Sequence, residues 1–321
     1  MTEKEPGPVN DKVSEGSRRA AMVLATGNIK KALEMFDEVL AKDPKDKDAL
    51  NGRGVALQQS NKVPESLECF DKAIEIDYNF PDPWNNKGIS LMDLKRYDEA
   101  IVCFDKAVEL DPKYYEAWTN KAVALTRSGD VPGALKTYDD IIEANPKWFD
   151  AWYNKGIVLL KTGRAKKALE YLDKALDLNP NLPNAWSDKG AAHHTLGELE
   201  EAVKCYQRSI ELAPNFRMAW SNKGVALQDL GRLEESIVCY DKAIELQPNY
   251  LSAWFNKALV LRELDRLEEA IKCCEKLNEL DPNFEDGWRL KAQCFKVLGR
   301  DEDATKAYQK VFELKKLEKN R

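Results

Sequence analysis

The sequence predicts an all-α protein made of nine copies of a 34-residue unit, each a pair of antiparallel helices. The first observation is a row of tryptophans spaced 34 residues apart: Trp84, Trp118, Trp152, Trp186, Trp220, Trp254 and Trp288. The second is that small residues recur four and sixteen positions after each tryptophan. The third is a proline 28 positions after the tryptophan: Pro112, Pro146, Pro180, Pro214, Pro248 and Pro282.

The two helices of a unit follow from the alternation of small and large residues at helical spacing. Gly88 and its equivalents would let two helices approach closely, and a large residue such as Phe104 returns sixteen positions later. A glycine near the middle of most units predicts the turn between the helices: Gly27, Gly129, Gly163, Gly197, Gly231 and Gly299. The proline ends the second helix because it cannot donate the next backbone hydrogen bond.

The same frame extends backward, with Leu50 and Gly16 in the tryptophan position. We therefore expect repeats starting near residues 13, 47, 81, 115, 149, 183, 217, 251 and 285. A repeat array buries its core between neighbours, so residues 13–318 are predicted to form one domain. Residues 1–12 are charged and proline-bearing and predict a disordered lead-in, and residues 319–321 a short tail.

This pattern resembles the tetratricopeptide repeat (TPR) family, whose 34-residue period and W–LG–Y, A–F–A, P signature it matches over about 95% of the chain. The resemblance implies an all-α, right-handed α-α superhelix, a TPR solenoid of antiparallel helix pairs. First helices would line a concave groove and second helices would form the convex back. The expected ligand is a protein or peptide partner held in that groove, with no cofactor.

Composition and motifs exclude several other classes. The formal net charge is −6, with 49 basic and 55 acidic residues interspersed, so no basic stripe predicts a nucleic-acid partner. No apolar run approaches the roughly 18 residues of a membrane span, so no membrane partner is expected. The motifs of serine hydrolases, P-loop enzymes and zinc proteases are absent from the sequence, which predicts no catalytic residues and no enzymatic activity.

The cysteines also follow the repeat, since Cys69, Cys103, Cys205, Cys239 and Cys273 share one column. Successive copies of a helical column should lie about 10 Å apart, beyond the roughly 7 Å that a disulfide can bridge. We therefore expect reduced, packed thiols and a cytoplasmic location. No CxxC pair predicts a metal site.

The two histidines are adjacent, at His193 and His194, and would point about 100° apart on a helix, which does not suit a shared metal ion. In the repeat frame His193 takes a core column and His194 a groove column. The pattern favours one packed and one exposed histidine, and leaves open a pH-sensitive contact with a partner at His194.

A polar column two residues after the tryptophan carries the binding hypothesis: Asn86, Asn120, Asn154, Asp188, Asn222 and Asn256. An asparagine side chain can both donate to and accept from a peptide backbone. The column resembles the asparagine ladder of long peptide-binding TPR arrays. The alternative is that these amides bond within or between the helices. Asp188 cannot donate when ionised, so a bound chain would be recognised differently there.

Three positions further on, an aliphatic column predicts an apolar strip, unless neighbouring helices cover it: Val55, Ile89, Val123, Ile157, Ala191, Val225 and Leu259. Tyr153 and Phe255 replace small residues of other repeats and are candidate anchors for a partner. A basic column, with Lys87 in the third repeat, is followed eighteen residues later by a mostly acidic column, with Asp105 in the same repeat. This spacing predicts ion pairs across each helical hairpin.

These patterns predict a non-enzymatic scaffold that binds an extended or helical segment of another protein. The alternatives are a self-assembling structural protein and a regulatory subunit of a multiprotein complex. The charged C-terminal residues are expected to continue the last helix as a solubilising cap, which disfavours end-to-end stacking.

Overall fold

The structure, a computed structural model, describes residues 13–319, with side chains as far as Lys316. That range contains eighteen α-helices and no strand, arranged as consecutive pairs. The predicted all-α fold of antiparallel helix pairs is confirmed. The predicted lead-in at residues 1–12 and residues 320 and 321 of the tail lie outside the described range, and Lys319 is the last residue of the final helix.

Nine helices form the first half of each repeat: α1 (Glu15–Ala25), α3 (Lys47–Gln59), α5 (Pro81–Asp93), α7 (Tyr115–Ser128), α9 (Phe149–Lys161), α11 (Pro183–Thr195), α13 (Arg217–Asp229), α15 (Leu251–Glu263) and α17 (Glu285–Val297). Nine form the second half: α2 (Ile29–Lys42), α4 (Val63–Ile76), α6 (Tyr97–Leu110), α8 (Val131–Ala144), α10 (Ala165–Leu178), α12 (Leu199–Leu212), α14 (Leu233–Leu246), α16 (Leu267–Leu280) and α18 (Asp301–Lys319).

The described residues fall into two compact units, one ending at Asn154 and the other starting at Lys155, within α9. The single domain expected over residues 13–318 stays a prediction. Inside each unit a second helix packs against the first helices of its own and the following repeat, as α4 does against α3 and α5. First helices of neighbouring repeats also touch, as α13 touches α11 and α15, whereas no such contact joins second helices in the described residues of either unit. The first helices are therefore the inner layer of each unit.

The turn inside each repeat uses a left-handed residue. Gly231, for example, has φ of +74°, and the six predicted turn glycines all have positive φ. Lys95 takes the same conformation at +59°, in a repeat that has no glycine at this position. Packing of the two helices therefore imposes the turn, and glycine relieves its strain where it is present.

A large side chain packed over a small residue joins the two helices of a repeat. A Cβ added to Gly88 would lie 2.6 Å from the Phe104 ring, and one added to Gly224 would lie 2.7 Å from the Tyr240 ring. Both rings are fully buried. The predicted alternation of small and large residues thus describes the core of each repeat.

The tryptophans join consecutive repeats. The Trp186 indole Nε1 donates to the carbonyl oxygen of Pro180 at 2.8 Å, and that of Trp220 donates to Pro214 at 2.9 Å. The same bond recurs at Trp152, Trp254 and Trp288. These five indoles therefore tie a first helix to the loop that closes the preceding repeat, whereas the indole nitrogen of Trp118 is buried without a hydrogen-bond partner among the described residues.

The expectation of ion pairs across each hairpin is wrong. Lys87 Nζ lies 2.5 Å from Asp71 Oδ1, on the second helix of the preceding repeat, and Lys121 pairs with Asp105 in the same way at 2.5 Å. Because a first helix lies between two second helices, the lysine column faces the earlier one. These partly exposed pairs contribute about 0–1 kcal/mol each and favour one register between neighbouring repeats.

One joint of the second unit breaks the packing pattern. Asn278 on α16 is 8% exposed, and neither its Nδ2 nor its Oδ1 has a hydrogen-bond partner. The equivalent position holds Ile210 and Ile244 in the two preceding repeats. Gly287 on α17 faces Asn278, and a Cβ added there would lie 2.9 Å from Asn278 Oδ1. The first repeat has Glu15 at the position of Gly287, and the seven repeats between them have alanine or proline.

We predict that Asn278→Ile together with Gly287→Ala stabilises the protein by about 1–3 kcal/mol, since it removes two unsatisfied buried polar atoms and restores the apolar joint. Chemical denaturation followed by circular dichroism measures the change. Gly287→Ala alone is the control and should give no gain, because its methyl group would crowd the Asn278 amide. A double variant no more stable than the wild-type chain would contradict this account.

Candidate functional site

All the predicted site residues lie on first helices and are partly buried. Asn86, Asn120 and Asn154 are on α5, α7 and α9 of the first unit, together with Tyr153. In the second unit Asp188 and His194 are on α11, Asn222 is on α13, and Asn256 and Phe255 are on α15.

In the first unit the asparagines bond to one another across three helices. Asn120 Nδ2 donates to Asn85 Oδ1 at 3.0 Å, Asn85 Nδ2 donates to Asn86 Oδ1 at 3.4 Å, and Asn86 Nδ2 donates to Asn51 Oδ1 at 2.9 Å. Asn85 is only 1% exposed, so this amide chain is part of the interior. At Asn86 and Asn120 the structure has the inter-helix bonding that the sequence left as an alternative.

Sequence reasoning missed Asn51 and Asn85. Both stand one residue after the tryptophan position, beside the column that drew attention. An asparagine at each of two neighbouring positions is the signal that could have found them. Asn154 also bonds within the protein, donating from Nδ2 to the Asp150 carbonyl oxygen at 2.9 Å, one turn earlier on α9.

The second unit differs. The side chains of Asn222 and Asn256 are half-buried and make no hydrogen bond with any described residue. Asn222 lines a hollow of about 230 Å³ together with Ala191, Tyr206 and Val225. Ala191 opens this hollow because the other members of the column from Val55 to Leu259 are larger aliphatic residues. Here an amide with unused donors and acceptors borders an apolar floor.

The rim of this hollow carries charge. His194 lines it, and its Nε2 lies 2.8 Å from Asp229 Oδ2 on the next first helix. Burial raises the pKa of the Tyr206 hydroxyl, and the nearby charge of Asp188 raises it further. Tyr206 therefore stays a neutral phenol throughout the physiological range.

The histidines do not divide into one packed and one exposed ring. The side chain of His193 is 15% exposed and that of His194 is 31% exposed. His193 Nδ1 lies 2.6 Å from Glu198 Oε2 in the turn of its own repeat. The contact of His194 joins two repeats, as does the bond from Gln58 Nε2 to Asp93 Oδ2 in the first unit, at the same sequence separation of 35.

Phe255 packs within the protein. Its ring meets that of Phe284 edge-on, with centroids 5.4 Å apart and planes at 80°. Phe284 precedes α17, so this pair braces the joint between two repeats while leaving part of Phe255 accessible. The aliphatic column, from Val55 to Leu259, is half-buried along its length and supplies an apolar strip on the first helices of each unit.

All seven cysteines are free and buried, in agreement with the predicted packed thiols. Burial raises the pKa of Cys103, Cys205 and Cys273 from 9.0 to about 11, and raises that of Cys274 further. A thiol with a raised pKa is largely unionised at neutral pH and is a poor nucleophile.

We predict that the native protein reacts slowly with an aromatic disulfide reagent near pH 8, since roughly one in a thousand of these thiols is then ionised. The protein unfolded in guanidinium should react at all seven sites. Folding favours the protonated thiols, because their pKa is higher in the folded protein. Their contribution to the free energy of unfolding is therefore complete below pH 9 and is lost as pH rises towards about 11. Melting temperature measured against pH tests this, and a melting temperature that rises over that interval would contradict it.

The helix pairs are stacked, and their inner layer presents amides and apolar side chains. This arrangement defines a helical-repeat scaffold for protein interaction. TPR family models match residues 81–114, 149–182, 183–216 and 218–250. Further models of the same repeat match residues 103–136 and 239–272, and residues 23–80. These matches together cover more than half of the chain, which therefore belongs to the tetratricopeptide repeat family.

Similar solved structures share the fold. A chain in the crystal structure of the APC/C hetero-tetramer Cut9–Hcn1 is 18% identical, with a TM-score of 0.61 over 83% of this chain. The match covers 52% of that chain, so this protein spans about half its length. MamA from Desulfovibrio magneticus RS-1, residues 41 to the end, is 23% identical, with a TM-score of 0.50 over 52% of this chain and 95% of its own. A MamA RS-1 double mutant is 21% identical, with a TM-score of 0.51 over 54% of this chain and 97% of its own.

No curated protein matches the chain significantly. Within the described part of the chain, every helix is too short or too polar to cross a bilayer.

Proposed function

We propose that the protein is a non-enzymatic scaffold that binds a segment of a partner protein on the first helices of its second unit. The observation that carries this proposal is the contrast between the amides of the two units. Asn222 and Asn256 have unused hydrogen-bonding capacity, whereas Asn86, Asn120 and Asn154 already bond within the protein.

The expected ligand combines a polar backbone with an apolar side chain. Asn222 and Asn256 are equivalent positions of consecutive repeats, and each can donate to and accept from a peptide group. The hollow between Ala191 and Val225 has room for an aliphatic side chain of that peptide. An extended segment engages both amides, and a helical segment engages the apolar strip. We also propose a reducing, cytoplasmic setting, which the seven free cysteines support.

We predict that Asn222→Ala with Asn256→Ala weakens binding about tenfold, because two hydrogen bonds to the peptide, each contributing about 0.5–1.5 kcal/mol, are lost. The melting temperature should stay nearly unchanged, because neither amide bonds with a described residue of the protein. The probe is a peptide selected on the wild-type chain from a displayed random library, measured by fluorescence anisotropy.

The matched control is Asn86→Ala with Asn120→Ala, which breaks the buried amide chain of the first unit. This control should lower the melting temperature and leave the affinity unchanged. Ala191→Leu is a further variant that fills the hollow with the residue present at Leu259, and it should weaken binding without unfolding the protein. Equal affinity of the Asn222/Asn256 variant and the wild-type chain would refute the proposed site.

A second candidate function, self-association, is favoured by α18. Phe312 is 70% exposed and Tyr308 is 40% exposed on one face of this helix. The equivalents of Tyr308 two and three repeats earlier, Tyr240 and Tyr206, are buried. The expectation that charge alone caps the last helix did not foresee this aromatic surface.

If α18 mediates self-association, Phe312→Lys will reduce the molar mass measured by light scattering from that of an oligomer to that of the monomer. The charge placed on the exposed face removes the apolar contact at little cost to the fold. Val297→Lys, at an exposed aliphatic residue of α17, is the control and should leave the mass unchanged. A wild-type chain that is already monomeric at high concentration excludes this candidate.

A further inference from the structure

A hollow of about 520 Å³ lies at the turn between α9 and α10, and Thr195 is the one residue that it shares with the hollow beside Asn222. Its lining includes Gly163, Ala165, which is 3% exposed, and Leu196, which is 41% exposed. Ala165 creates space here, because the next three repeats have leucine at this position: Leu199, Leu233 and Leu267.

Three cations surround the hollow: Arg164, Lys166 and Lys167. The side chains of Lys166 and Lys167 are exposed, and none of the three cations forms an ion pair with a described residue. Arg164 Nε donates to Thr162 Oγ1 at 3.1 Å. Glu170 is the single carboxylate in the lining, so the hollow is positive overall.

In other repeats an acid pairs with the arginine that stands at the position of Arg164. Arg232 forms a two-point pair with Glu235, with both N–O distances 2.7 Å, and Arg266 pairs with Glu269 at 2.7 and 2.8 Å. The residue three positions after Arg164 is Lys167 instead of an acid. The cations of this repeat thus lack the internal partners that the repeat normally supplies.

These lysines also work against their own helix. Negative charge in the first turn stabilises a helix, and positive charge there destabilises it. The first turn of α12 carries Glu200 and Glu201, and α14 and α16 carry similar acids, whereas the first turn of α10 has none. The first turn of α2 also lacks an acid and carries Lys30 and Lys31, but there Ile29 occupies the position of Ala165.

We propose that this basic hollow docks an acidic segment of a partner protein, one that places an aliphatic side chain against Ala165 and Leu196 and carboxylates against Arg164, Lys166 and Lys167. Charge complementarity selects the segment, and the apolar floor fixes its register. This second docking surface is independent of the amides on the first helices.

The probe is a fluorescein-labelled synthetic peptide with one leucine between pairs of glutamates, and its binding to the full chain is measured by fluorescence anisotropy. Lys166→Glu with Lys167→Glu installs the acids of α12 and should weaken binding at least about tenfold while raising the melting temperature. Ala165→Leu, which copies the neighbouring repeats, should weaken binding several-fold and leave the fold intact. Higher salt should weaken binding to the wild-type chain.

A peptide with serine in place of leucine, and one with lysines in place of glutamates, should both bind less tightly. Unchanged affinity of the Lys166/Lys167 variant would overturn the proposal, and so would equal binding of the serine peptide or tighter binding of a single-stranded oligonucleotide. The library-selected peptide should bind all these variants as well as it binds the wild-type chain, so failure here is distinguishable from failure at Asn222 and Asn256.

Discussion

The contact on which each repeat depends is the close approach of a large side chain on the second helix to a small residue on the first. At Gly88 and Phe104, and again at Gly224 and Tyr240, the space for one Cβ is already occupied by a ring. The two helices can therefore approach to one distance only, and the ring is sealed from water. Repeating this contact sets the geometry of successive helix pairs.

Polar contacts then favour one orientation of each repeat relative to the next. The indole bonds reach the proline-closed loops, and the lysine column reaches acids on the preceding second helix. These bonds are individually weak, but each one joins a particular pair of groups on two neighbouring repeats. They satisfy groups at the edges of an apolar joint, so a neighbouring repeat is favoured in one orientation. Asn278 shows the converse, because its buried amide has no partner and leaves that joint poorly matched.

Departures from the repeat are the basis of the binding specificity that we propose. Nine similar backbones offer similar surfaces, so differences in the partners of a side chain decide what it can do. The amides of Asn86 and Asn222 occupy equivalent positions, but one is bonded within the protein and the other is not. Likewise Arg164 and Arg232 are equivalent, yet Arg232 alone meets a carboxylate three residues on. Small changes in composition thus distinguish the proposed docking surfaces from the equivalent positions of other repeats.

The sequence by itself determined the helix pairs, the turns and the small-to-large core, because each depends on residues whose spacing is fixed by one helix or one hairpin. It also determined the packing of the cysteines, since a repeated column is buried alike in every copy. Only the tertiary structure decided which neighbour each polar side chain meets. Lys87 lies between two acids at similar separations in sequence, Asp71 and Asp105, and packing against the preceding repeat selects Asp71. The same holds for Asn86 and Asn222, because hydrogen bonding depends on the position of an atom on the next helix, which spacing along one chain does not specify.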